Sequence, residues 1–144
     1  MIQKVKTQDI PAVTELALLL WPGHTKDALK EEMAALVIDP EAALFLALEG
    51  ADAVGFAQCQ LRHDYVEGTA SSPVGYLEGI YVAEGYRKKG IAAALLRACE
   101  SWAKTKGCSE FASDCELENT LSARFHRSLG FTEANRIICF TKKL

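Results

Sequence analysis

Tyr76-Leu77-Glu78-Gly79-Ile80-Tyr81-Val82-Ala83-Glu84-Gly85-Tyr86-Arg87-Lys88-Lys89-Gly90-Ile91-Ala92 reads as a strand, a short turn and the start of a long helix. Leu77, Ile80, Tyr81 and Val82 are β-rich types. From Gly90 to Lys106, the residues Ile91, Ala94, Leu95, Ala98 and Trp102 recur at helical spacing, and Gly107 is a good stop. A helix start leaves backbone N–H groups unpaired and carries about half a positive charge. Gly90 lets backbone approach a ligand, Ala92 is nearly as small, and Arg87, Lys88 and Lys89 precede them. The run therefore has two readings: a pocket for a phosphate or pyrophosphate, or a solvated basic turn. It is neither G-x-x-x-x-G-K-[ST] nor G-x-G-x-x-G, so the common nucleotide fingerprints are excluded.

Outward from this stretch, secondary structure alternates. Ile2 to Lys6 predicts a first strand. Thr7 and Asp9 can cap a helix carrying Ile10, Val13, Leu16, Ala17 and Leu20, which Trp21-Pro22-Gly23-His24 breaks. Thr25 or Asp27 caps a second helix, and Asp39-Pro40 stops it. Ala43 to Glu49 and Ala53 to Leu61 predict a hairpin around Gly50-Ala51-Asp52, followed by a polar loop from His63 to Pro73. After the Val74 to Val82 strand and the long helix come a short strand, Glu110 to Cys115, and a helix from Asn119 to Leu129. Phe131 to Thr141 reads as a final strand pair. The order β-α-α-β-β-β-α-β-α-β predicts an α/β (α+β) domain with a partly antiparallel sheet.

Length and composition bound the function. The chain has 144 residues with a formal charge of −3, and 49% are hydrophobic. That is one domain, residues 1–144, and its acidic balance argues against a nucleic-acid binder. No stretch approaches the ~18 apolar residues of a membrane span, and Met1 to Asp9 holds no apolar signal core. A cytoplasmic location is expected. Cys59, Cys99, Cys108, Cys115 and Cys139 form no C-x-x-C pair, and with 3 histidines a metal site has poor material. Free, mostly buried thiols are expected, with Cys115 beside Asp114 the one to watch.

Val82, Arg87, Gly90 and Ala92 match the R/Q-x-x-G-x-G/A pattern of the GCN5-related N-acetyltransferases, with its preceding Val. Glu118-Asn119 and the Ser128-Leu129-Gly130-Phe131 ending extend the match. The resemblance implies a fold of roughly six to seven strands, mixed and mostly antiparallel, flanked by about four helices. A closer likeness lies in five further stretches: 19–24, 62–66, 71–74, 77–82 and 112–114. They resemble the aminoglycoside 6'-N-acetyltransferases, in particular the chromosomal-type branch of enteric and Acinetobacter-like bacteria. That resemblance implies acetyl transfer from acetyl-CoA to the 6'-amine of kanamycin- or tobramycin-type drugs, and a homodimer by family habit.

By the resemblance, the amine attacks the thioester directly. The sequence agrees in offering no nucleophile constellation. Ile80, Tyr81 and Val82 are then expected to thread the pantetheine arm and bind the thioester oxygen through backbone groups. Arg87, Lys88, Lys89, Gly90, Ile91 and Ala92 would take the pyrophosphate. Asn119 would bond the pantetheine arm, serve as an N-cap, or do both. A polycationic drug calls for carboxylates. An acid within the apolar run Leu77-Glu78-Gly79-Ile80 is costly without a job. Glu78 and Asp114 are the candidates, with Asp114 holding and deprotonating the 6'-amine and Glu78 binding a second amine or sharing the base role. Trp21, His24 and Tyr65 line up with the family's drug-binding loops; Trp21 also reads as core and His24 as a loop residue.

Two positions depart from the family pattern. His126 stands where the superfamily often has a Tyr that protonates the departing thiol. Asn135 stands where close relatives carry an acid reaching into the drug site, with Glu133 two residues before it. Two further hypotheses stay open at this level: a sibling enzyme acting on another small polyamine, amino acid or peptide amine, and a non-catalytic acetyl-CoA-binding module.

Overall fold

The apolar run Ala42–Glu49 forms β2, and its first six residues are all buried. Alternation explains why it reads as continuous: Leu44 and Leu46 face one helical layer, while Ala43, Phe45 and Ala47 face the other. The computed structural model describes residues 1–144. Around β2 it places β1 (Ile2–Lys4), β3 (Asp52–Arg62), β4 (Val74–Val82) and β5 (Phe111–Ala112) in the order β1-β2-β3-β4-β5. The first three pairings are antiparallel and β4 pairs β5 in parallel. The class is α/β with a mixed sheet, as expected.

Helices α1 (Ile10–Leu20) and α2 (Lys26–Ile38) cover one face. Val13, Leu16 and Ala17 of α1 and Leu29 and Met33 of α2 pack with Leu44, Leu46 and Phe56. Leu29 and Met33 are fully buried, each burial worth roughly 1.5–3 kcal/mol. Thr25, not Asp27, caps α2: its hydroxyl accepts from the Ala28 N–H at 3.1 Å. The other face carries α3 (Ile91–Thr105), whose Leu95, Leu96, Cys99 and Trp102 pack on Phe45, Ala57, Cys59 and Leu77. α4 (Thr120–Ser128) buries no residue, and Asn119 caps it by accepting from the Ser122 N–H at 3.0 Å.

Several expectations are corrected. The sheet has five strands rather than six to seven. Phe131 to Thr141 forms no strand pair; residues 131–144 carry no regular structure, and no edge of this chain receives them. The short strand expected over Glu110 to Cys115 pairs only at Phe111–Ala112, because Ser113 and Asp114 turn to side-chain partners on other elements. The first strand stops at Lys4, and the Lys6 N–H donates to the Asp9 carboxylate at 2.9 Å instead. Thr7–Asp9 makes a 3₁₀ turn ahead of α1 rather than a side-chain cap. Three of the five cysteines are buried, while Cys115 and Cys139 are exposed.

Candidate active site

A bulge in β4 builds the first half of the site. Gln58 is opposite Gly79 and Cys59 is opposite Leu77, so Glu78 is the extra residue. A bulge bends its strand and re-aims a side chain. The Glu78 carboxylate accepts from Arg62 through both oxygens, Nε to Oε1 at 3.1 Å and Nη2 to Oε2 at 3.0 Å. The Arg62 guanidinium also lies over the Tyr76 ring, 3.4 Å from its centroid. The Tyr76 hydroxyl donates to Asp114 Oδ2. Burial, then the Asp114 hydrogen bond and charge, push the Tyr76 phenol well above the ordinary tyrosine range. A carboxylate from the middle of β4 and one just past the end of β5 are thus joined through Arg62 and Tyr76; Glu78 does not stand at a strand end.

Trp21 closes one side of this cluster. Its ring leaves no room at Gly79: a Cβ there would lie 2.6 Å and 2.8 Å from Cζ2 and Cη2. Phe56 meets the indole edge to face at 5.9 Å. Trp21 is therefore packed, against the strand position next to Glu78. Leu61, Arg62, His63, Asp64 and Tyr65 line an adjacent shallow depression, in which Tyr65 is exposed. His24 only closes the turn after α1, through its N–H to the Trp21 carbonyl at 3.2 Å. Asn135 donates from Nδ2 to Glu67 at 2.9 Å, tying the C-terminal segment to the 63–73 loop rather than to either carboxylate.

The second half lies at the far end of β4. Only Gly75 and Tyr76 pair with β5, so Leu77–Val82 have no neighbour on that side. The gap lies alongside Ile80, Tyr81 and Val82. The following turn is set by left-handed backbone at Lys88 (φ 60°) and Gly90 (φ 80°), and the space beside Gly90 is open. The N–H groups at the start of α3 have no helical partner and are of the kind that bind phosphate. Arg87 anchors the turn by donating from Nε to the Val82 carbonyl at 2.8 Å. Lys89 lies 5.2 Å from the Tyr86 ring centroid, with its charge exposed. Backbone, glycine and cations together fit a pyrophosphate.

His126 sits between α4 and β5. Its Nδ1 donates to the Ser122 carbonyl at 2.7 Å, so in the neutral ring Nε2 accepts from Ser113 Oγ at 2.8 Å. Phe131 meets the ring edge to face at 5.1 Å.

The pattern of the acetyltransferase (GNAT) family matches residues 10–131. The chain belongs to that family. Among relatives of the acetyltransferase, the aminoglycoside N(6')-acetyltransferase type 1 of Salmonella typhimurium is 44% identical over 86% of each chain. The enzyme of the same name from Serratia marcescens is 43% identical over 94% of each. The solved structure of AAC(6')-Iy with the bisubstrate analogue CoA-S-monomethyl-acetylneamine is 39% identical and superposes with a TM-score of 0.97, covering 100% of this chain and 98% of that one.

Against this acetyltransferase frame, the structure links Glu78 to Asp114 through Arg62 and Tyr76, packs Trp21 against Gly79, and leaves Ile80–Val82 beside the β4–β5 gap. It does not bring His24 or Asn135 to the carboxylates. Sequence reasoning assigned no role to Arg62 or Tyr76. The signal for Arg62 was available: a costly acid in an apolar strand calls for a cation nearby. Tyr76 carried no such signal, because a tyrosine in a strand is ordinary.

Proposed function

We propose that this chain transfers the acetyl group of acetyl-CoA to the 6'-amine of aminoglycoside antibiotics, by direct attack of the amine in a ternary complex. The observation that carries it is the contact chain Glu78–Arg62–Tyr76–Asp114 beside a β4 stretch that has no β5 neighbour. The likeness to aminoglycoside N(6')-acetyltransferases over most of the chain supports the acceptor class. We read residues 1–144 as one catalytic domain.

Acetyl-CoA, when bound, supplies the acetyl group as an activated thioester. Arg87–Ala92 hold the pyrophosphate through helix-start N–H groups and cations. Ile80, Tyr81 and Val82 align the pantetheine arm and offer backbone donors to the thioester oxygen as charge develops. Asn119, the cap of α4, bonds the pantetheine arm as well. Asp114 takes a proton from the 6'-ammonium, which makes the amine a nucleophile at neutral pH. Glu78, Trp21 and Tyr65 hold the rest of the acceptor against the cleft. His126 has both ring nitrogens engaged, on the Ser122 carbonyl and Ser113 Oγ, so it ties α4 to β5 and the thiolate leaves unaided. The carboxylates also steer a polycation toward the site.

Thiol release from acetyl-CoA tests the reading with two acceptors. Kanamycin A has a 6'-amine; its comparison compound carries a hydroxyl there. Turnover with the first alone is expected. Turnover with both removes Asp114 from the 6'-position. Turnover with neither, while acetyl-CoA still binds, points to a sibling enzyme for another amine or to a binding module.

We further propose a homodimer. Residues 132–144 make no backbone–backbone hydrogen bonds, and Ile137, Ile138 and Phe140 are exposed. Unpaired backbone and exposed apolar side chains favour strand pairing with a second copy. Light scattering should give twice the chain mass of 15.7 kDa, and a monomer would refute the assignment. We place the enzyme in the cytoplasm, where its free cysteines stay reduced. No helix is long and apolar enough to cross a membrane.

A further inference from the structure

We infer that Tyr76 is the positioning residue for Asp114, fixing which carboxylate of the cleft accepts the amine proton. This rests on the reading above, in which Asp114 is the proton acceptor.

Asp114 lies two residues past the last paired position of β5, so the sheet does not orient its side chain. Its one hydrogen bond to the protein comes from the Tyr76 hydroxyl, on Oδ2. That leaves Oδ1 to face an incoming amine. Tyr76 is itself held firmly. It is 6% exposed, packs against Val66 and Val74, and carries the Arg62 guanidinium on its ring face at 3.4 Å. A buried aromatic ring under a stacked guanidinium has little rotational freedom, so the donated hydrogen bond has a fixed direction.

Charge separates the two carboxylates. Glu78 has both oxygens on Arg62, whereas Asp114 has no cation within ion-pair distance. The charged groups around the Tyr76–Asp114 contact are Arg62 from β3 and Glu78 from β4. From α4, His126 reaches the neighbouring Ser113 instead. With Arg62 cancelling Glu78, one net negative charge remains. That suits one protonated primary amine at the reacting position. The phenol stays a donor because burial and the carboxylate keep it protonated. Tyr76 therefore supplies a neutral donor that orients the carboxylate without neutralising it, as a cation would.

A double-mutant cycle tests the assignment, with kcat and KM for kanamycin A measured on the full chain. Tyr76→Phe removes only the hydroxyl and preserves the buried ring. It is expected to lower kcat about tenfold or more, the scale for losing a hydrogen bond to a charged group, with KM changed less than threefold. Asp114→Asn is expected to lower kcat further, and adding Tyr76→Phe to it should change nothing more. Melting temperatures check that each variant is folded at the assay temperature. A Tyr76→Phe kcat equal to wild type, or an equal loss in the Asp114→Asn background, overturns the positioning role while leaving Asp114 as the base. Full turnover by Asp114→Asn overturns the base reading and the inference with it.

Discussion

Arg62 grips Glu78 through both carboxylate oxygens, from a position 16 residues earlier in the chain. The carboxylate sits on a bulge, largely out of water, so its charge needs this partner. The guanidinium serves a second purpose as the lid of the Tyr76 ring. Replacing Arg62 with Ala leaves a shielded carboxylate alone and uncovers the ring. It should cost about 1–3 kcal/mol of stability. Arg62→Lys should recover only part of that, because an ammonium cannot make the fork or the flat stack. Urea unfolding of the three proteins measures it, and equal midpoints for Lys and Arg would contradict the account.

Gly79 is needed for lack of a side chain, not for unusual backbone. An added Cβ would stand 2.6 Å from the Trp21 ring, and Phe56 packs against that ring. Gly79→Ala must displace the indole, at about 1–3 kcal/mol, the usual range for overpacking. KM for the aminoglycoside should rise while acetyl-CoA affinity holds, since the turn before α3 is untouched. Calorimetric titration of both ligands separates the two effects.

Gly90 is the opposite case. Nothing lies within 4 Å of where its Cβ would be, but its φ is 80°. Gly90→Ala should destabilise the fold by about 1–2 kcal/mol through backbone strain alone. The methyl would also enter the opening where N–H groups meet the pyrophosphate. Acetyl-CoA affinity should therefore fall more than stability does. Titration calorimetry against a thermal melt gives the comparison, and unchanged affinity would place the pyrophosphate elsewhere.

Tyr76 links stability to alkaline pH. Burial first, and the Asp114 carboxylate second, raise its phenol above the unfolded value. Folding thus favours the neutral form. The stabilisation is complete below the unfolded tyrosine value of about 10 and is lost as pH rises beyond it. Tyr76→Phe has nothing to titrate there. Between roughly pH 10 and 12 its melting temperature should decline less steeply than that of the wild type. Parallel slopes would mean that Tyr76 ionises as freely folded as unfolded.

Much of the molecule is legible in local pattern. Helical spacing from Ile91 to Trp102 writes α3, and the glycine and basic run before it marks the left-handed turn proposed to hold the pyrophosphate. The burial of β2 shows in its unbroken apolar run, and Glu78 betrays itself as an acid among apolar neighbours. These features depend on residues a few positions apart, whose geometry a helix or strand repeats. The Arg62–Glu78 and Tyr76–Asp114 contacts, spanning 16 and 38 residues, do not. They exist because one extra residue shifts the β3–β4 register and because β5 leaves the sheet after two pairs. Likewise the segment from Phe131 to Thr141 reads as a strand pair yet forms no strand within this chain. Short-range periodicity wrote the elements and the turn before α3; which carboxylate is neutralised and which stays free followed from pairing across the sheet, where a one-residue shift changes every partner.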